Sequence, residues 1–140
     1  MPPPYSTYLG SVLPGIEEIA AGEVSANVTG STLVERLRGK VVFTAPNQNR
    51  SAWVERLRTF DNIYLLLARL PVGPHRRHLV DLETNIAGLD LREAAAIRPG
   101  ESPGAATFYV NASRTGRHTF SRFEAADAAT RGIVRQQRSW

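Results

Sequence analysis

One stretch constrains the fold more than any other. From Ser51 to Leu70 the chain changes its hydrophobic period midway. Trp53, Val54, Leu57 and Phe60 fall at i, i+1, i+4 and i+7, the spacing of one helix face. Ile63 to Leu67 is then an unbroken apolar run, short enough for a fully buried strand. The expectation is a helix feeding a central strand, with Trp53, Phe60, Tyr64 and the leucines in the core.

The elements around it read mostly as hairpins. Val24, Ala26 and Val28 alternate with Ser25, Asn27 and Thr29, the pattern of a half-buried strand. Leu33 to Thr44 suggests one or two further strands about Gly39-Lys40, with a helix over 31–38 as the competing reading. Pro46 to Ser51 is a polar loop in which Asn49 and Ser51 are N-cap candidates. Pro71-Val72-Gly73-Pro74 turns the chain, so 62–84 reads as a hairpin. Asp90 caps a short helix over Leu91–Ile97. Ala106, Phe108 and Val110, then His118, Phe120 and Arg122, alternate about Thr115-Gly116 as a second hairpin. Glu124 to Gln137 is alanine-rich and closes the chain as a helix interrupted by Gly132. The predicted class is α+β: an antiparallel β-sheet or β-sandwich built from hairpins, with two or three flanking helices.

Pro2, Pro3, Pro4, Gly10, Pro14 and Gly15 set the first fifteen residues apart. Consecutive prolines favour polyproline II and cannot enter a helix or a central strand. The predicted organisation is an extended arm over 1–15 and a single α+β domain over 16–140. Pro2-Pro3-Pro4-Tyr5 also fits the peptide that WW domains bind in polyproline II form.

Several classes are excluded or disfavoured. There is no cysteine, hence no disulfide framework and no thiolate metal site. No apolar run approaches a membrane span, and the N-terminus has neither a basic nor an apolar signal region. No P-loop, dinucleotide fingerprint or nucleophile elbow occurs. His75 and His78 flank two arginines, which disfavours a divalent metal; no catalytic residue, metal site or cofactor is predicted. Asp81 and Glu83, two apart on a presumed strand, would share a solvated face. Asn27-Val28-Thr29, Asn49-Arg50-Ser51 and Asn111-Ala112-Ser113 are sequons expected to stay unmodified.

The net charge is +4, and residues 111–140 hold all of the excess. Lys40 is the only lysine. Arginine binds phosphate and carboxylate with a planar fork, although a GC-rich genome would give the same bias. The candidate anion-binding set is Arg76 and Arg77, then Arg114 and Arg117, then Arg131, Arg135 and Arg138 on one helix face beside Trp140. Such a row suits an anionic membrane surface or nucleic-acid phosphate.

A basic chain without cysteine, opening on Pro-Pro-Pro-Tyr, resembles the matrix proteins of nonsegmented negative-strand RNA viruses. Residues Asn49 to Val80 are similar in layout to the rhabdovirus matrix core: polar loop, helix ending in Phe60-Asp61, an Ile63-Tyr64 strand, then a basic turn. The length is similar to that of bornavirus matrix proteins. The resemblance implies a non-enzymatic protein in the virion, at the inner face of the envelope or in host cytoplasm. It further implies self-association as a homo-oligomer, contact with RNA or nucleocapsid, and recruitment of host WW-domain proteins for budding. A phage or other capsid protein and a basic nucleic-acid-binding module are the alternative classes.

Overall fold

The computed structural model of the protein describes residues 4–92, 94, 108–113 and 116–136. The chain gathers into two compact units, Met1–Leu67 and Ala68–Trp140. Its class is α+β: a four-stranded antiparallel sheet and, among the described residues, four α-helices.

The first unit runs β1 (Tyr5–Val12), α1 (Glu17–Asn27), β2 (Thr32–Leu37), β3 (Lys40–Pro46), α2 (Arg50–Glu55) and β4 (Phe60–Leu65). The sheet order is β2-β3-β1-β4, and every pairing is antiparallel. This is the split β-α-β arrangement of ferredoxin-like folds.

Tyr5 to Val12, expected in an extended arm, is instead an inner strand. β1 pairs with β3 on one side and β4 on the other. The prolines end at Pro4, and from Tyr5 onward alternate residues are buried. A proline just ahead of the first strand residue removes no ladder bond. The carbonyl of Pro4 accepts from the Asn47 N–H at 2.9 Å. Gly10 is required where it stands: a Cβ there would lie 2.2 Å from the Phe60 ring.

The strand expected over Glu23–Thr29 is the second half of α1. Val24 and Val28 satisfy both periods, being four apart. The structure chooses the helix because Ala20 and Ala21 extend the buried face, while Ala26 faces solvent. Glu17 in the first turn accepts from the Gly39 N–H at 2.8 Å and the Gly15 N–H at 2.9 Å. Those bonds, Gly39 foremost, hold its carboxyl below the usual range. The β2–β3 hairpin turns on Gly39 at φ +71°, as expected.

The Ser51–Leu70 stretch does switch from helix to strand, but β4 is an edge strand that pairs only with β1. Tyr64 is accordingly 53% exposed rather than core. The core lies between the helices and one face of the sheet. Tyr8, Phe43 and Trp53 meet there with ring centroids 5.1 to 5.9 Å apart, with Val12, Val24, Val28, Val41 and Leu57 around them.

In the second unit, a 3-10 turn (Arg76–His78) leads into α3 (Leu79–Ala87), and α4 spans Arg122–Gln136. The expected hairpin over 62–84 is corrected here: its returning strand is α3. Leu79, Leu82 and Ile86 sit at i, i+3 and i+7, a helical face that a short apolar run conceals. Asp81 and Glu83 therefore do not share a strand face. The expected hairpin over 106–123 is absent as far as it is described: residues 108–113 and 116–121 hold no strand, and Phe120 joins Leu79 and Ala128 in a small core. Of the short helix expected over Leu91–Ile97, only Leu91, Arg92 and Ala94 fall within the described residues.

Helices α3 and α4 approach closely at Gly132, where a Cβ would stand 2.7 Å from the Glu83 carbonyl oxygen. α4 opens with a capping box. The Glu124 N–H donates to Ser121 Oγ, and the Ser121 N–H donates to Glu124 Oε1, both at 3.1 Å.

Candidate nucleic-acid interface

The arginines singled out from sequence divide by what holds them. Arg76 is committed: its Nε lies 2.8 Å from Glu124 Oε2, and its backbone N–H donates to Thr119 Oγ1 at 2.7 Å. Arg131 Nε lies 3.6 Å from Glu83 Oε1, across the α3–α4 contact. Arg77, Arg117 and Arg135 are exposed and make no ion pair among the described residues. Arg131 and Arg135 share a face of α4, as their spacing implied. Arg114, Arg138 and Trp140 lie outside the described residues, as do Pro2 and Pro3.

Glu124 serves both the helix cap and Arg76. The Ser121 N–H, first, and the Arg76 guanidinium hold its carboxyl below the ordinary value. His75 and His78 belong to the turn ahead of α3, where the His75 N–H donates to His78 Nδ1 at 3.1 Å. Gly73 leaves room for that ring, since a Cβ would stand 2.0 Å from His78 Nδ1. No cluster of three metal-ligating side chains stands among the described residues.

Sequence reasoning missed a second feature, in the first unit. A cleft of about 310 Å³ opens between the end of α1, the β3–α2 loop and α2. It is lined by Asn27, Thr29, Pro46, Gln48, Asn49, Ala52, Trp53 and Arg56. Its back wall is held by hydrogen bonds. Trp53 Nε1 donates to the Pro46 carbonyl at 3.0 Å. Beside it, the Tyr8 hydroxyl donates to Asn47 Oδ1, Asn47 Nδ2 donates to Ser6 Oγ at 2.8 Å, and Arg50 Nη1 donates to the Tyr8 hydroxyl at 3.0 Å. That network ties the loop to a tyrosine only 2% exposed.

Asn49 takes the N-cap position at φ +60° without a capping side-chain bond. Non-glycine residues seldom adopt this left-handed region, and asparagine is among the most tolerant. The available signal was the polar loop after Pro46 together with the sequons. Asn27, Thr29 and Asn49 come from two of them and line one cleft.

The central strands lack the base-stacking platform that some four-stranded sheets present to RNA. Tyr8 and Phe43 point into the core with the helices. On the opposite face the inner strands carry Thr7, Leu9 and Ser11 beside Thr44 and the fully buried Val42.

No family model matches the chain, and no curated protein sequence does. Solved structures do share its fold. One is described as a "predicted N6-adenine-specific DNA methylase" from Listeria monocytogenes str. 4b F2365, with TM-score 0.74 and 17% identity over 94% of this chain. Another is a "possible methylase" from Clostridium difficile 630, with TM-score 0.75 and 16% identity over 94%. A third, SMU.472, is described as a "putative methyltransferase complexed with SAH", with TM-score 0.66 and 15% identity over 96%. The chain spans about a third of each, 31%, 32% and 32% of their lengths. At these identities the likeness shows the fold.

These matches overturn the kinship with viral matrix proteins. The structures that share the fold are methylases by description, not virion components. The expectations of a non-enzymatic protein and of a budding role are corrected with it. The layout of Asn49 to Val80 misled because a helix, a strand and a basic turn occur in that order in unrelated folds. Tyr5 of the Pro-Pro-Pro-Tyr element is the first residue of β1, paired with Pro46.

The cleft does not fit an adenosyl methyl donor. Such nucleotides favour the crevice at the carboxyl ends of parallel strands, and this sheet is antiparallel throughout. Space at Gly10 is taken by Phe60. The cleft brings Arg56 and no carboxylate, the wrong charge for a sulfonium cation.

Proposed function

We propose that this chain works in a methylase-type enzyme as the portion that holds the nucleic-acid substrate. The observation that carries this reading is the coverage. The fold coincides over nearly the whole chain with about a third of three proteins described as methylases or methyltransferases. The cleft does not suit the methyl donor, and we assign the chain to the substrate side of the reaction. The Listeria protein is described as acting on adenine in DNA, which makes nucleic acid the substrate class.

The charge supports this. The chain carries 17 cationic against 13 acidic side chains. Arg77, Arg117 and Arg135 are free of ion pairs among the described residues, so their guanidinium forks can take phosphate without first breaking a bond. Arg76 and Arg131 would have to leave Glu124 and Glu83 to do so.

Mobility shifts with single- and double-stranded RNA and DNA test the proposal. At low salt the chain is expected to bind at least one of the four with a Kd on the order of micromolar. Replacing Arg77, Arg117 and Arg135 together by Ala is expected to weaken binding about tenfold or more, with the circular dichroism unchanged. No shift with any of the four would refute the proposal.

A further inference from the structure

The cleft beside Trp53 is lined mostly by polar side chains. The side chains of Thr29, Gln48, Asn49 and Arg56 form no hydrogen bond among the described residues, whereas neighbouring Asn47 bonds Ser6 and Tyr8 and Arg50 bonds Tyr8. Asn27 uses Nδ2 on the Glu23 carbonyl at 2.9 Å, leaving its Oδ1 free to accept. Three carboxamides, a hydroxyl and a guanidinium thus converge on one concavity of about 310 Å³, at the small end of ligand pockets.

The chemistry selects the ligand. A carboxamide presents a donor and an acceptor side by side in one plane. Adenine offers the complementary pair, an exocyclic amine beside a ring nitrogen, on two edges where unpaired cytosine offers it on one, and Asn and Gln pair with adenine in this way. Arg56 at the rim suits a phosphate. The lining has no carboxylate to repel one. The cleft is too small for a duplex edge, so the base must come from an unpaired position. Trp53 does not stack on it, because the indole is only 5% exposed. It forms the wall against which the base lies.

We infer that this cleft receives a single unpaired adenine nucleotide of the bound nucleic acid, its base on the carboxamides of Gln48 and Asn49 and its phosphate on Arg56. The inference rests on the nucleic-acid reading above and adds to it a base preference and a location in the first unit.

Trp53 reports on the site directly. Trp140 is the only other tryptophan, so Trp140→Phe isolates the signal. Uridine dodecamers with and without one central adenosine are titrated into this protein. The adenosine-bearing RNA is expected to bind about tenfold more tightly and to shift Trp53 emission. The double variant Gln48→Ala, Asn49→Gly is expected to erase that difference while leaving binding of the all-uridine RNA unchanged. Both positions are exposed, and glycine accepts the φ of Asn49, so the fold is not at risk. Equal affinity for the two RNAs, or a preference that survives the double variant, would overturn the inference and leave the nucleic-acid reading standing. Binding of neither RNA would sink this inference. If mobility shifts also fail with the other nucleic acids, the wider reading falls with it.

Discussion

Replacing Gly132 by alanine sets two effects of similar size against each other, and the structure says which wins. In the interior of a helix, alanine is favoured over glycine by about 1 kcal/mol. Gly132 lies inside α4, so propensity alone forecasts a gain. The new Cβ, however, would stand 2.7 Å from the Glu83 carbonyl oxygen and 3.0 Å from Ile86 Cβ and Cγ2. A backbone carbonyl cannot rotate away, so α3 and α4 must separate by some tenths of an ångström. Overpacking of this kind costs roughly 1–3 kcal/mol. Taking the middle of that range, Gly132→Ala is expected to destabilise the second unit by about 1 kcal/mol net. Gly22→Ala is the matched control. It lies inside α1, and a Cβ there meets nothing within 4 Å. Its expected outcome is a gain of up to about 1 kcal/mol. Urea unfolding followed by circular dichroism measures both. A Gly132→Ala midpoint above that of the unsubstituted protein would refute the close packing of α3 on α4.

Further outcomes follow from single contacts. Tyr8→Phe strips the hydroxyl shared by Asn47 and Arg50 and is expected to cost about 1–2 kcal/mol in urea unfolding, because it leaves polar partners unmatched. Trp53→Ala is expected to cost about 3–5 kcal/mol by the same assay, since the indole is core to the first unit. Glu124 has its folded pKa below the unfolded value. Its support for α4 is therefore full above the unfolded value and is lost as pH falls through the folded one. The acid loss of helical signal is expected to be shallower in Glu124→Gln. Asp90 is held at about 2, chiefly by the Arg92 side chain and then by its N–H. A carboxyl NMR titration is expected to show this, with a return towards the ordinary value in Arg92→Ala.

The sequence was most legible where one period dominated. The β2–β3 hairpin around Gly39 and the helix-to-strand switch after Ser51 were readable because their turn residues and apolar spacing agree. Reading failed where one spacing served two structures. Val24 and Val28 fit a strand and a helix equally, and only packing against Ala20, Ala21 and the sheet decides. Leu79, Leu82 and Ile86 were too few to declare a helix. The prolines of the first residues hid an inner strand, because they stop one residue before it begins.

Among the candidate site residues, the cationic row was visible in composition. The partners that neutralise Arg76 and Arg131 were not, since Glu124 and Glu83 are distant in sequence. The cleft was invisible for the same reason: its two walls stand about twenty residues apart along the chain, at Asn27 and Gln48.

The most direct measurement is the salt dependence of binding to a single-stranded RNA. If Arg77, Arg117 and Arg135 each neutralise one phosphate, log Kobs should fall with log salt with a slope of about −2 or steeper. Replacing all three by alanine should flatten that slope by about 2. A slope near zero, or one that the triple variant leaves unchanged, would contradict the account of this chain as the nucleic-acid-holding portion of a methylase-type enzyme.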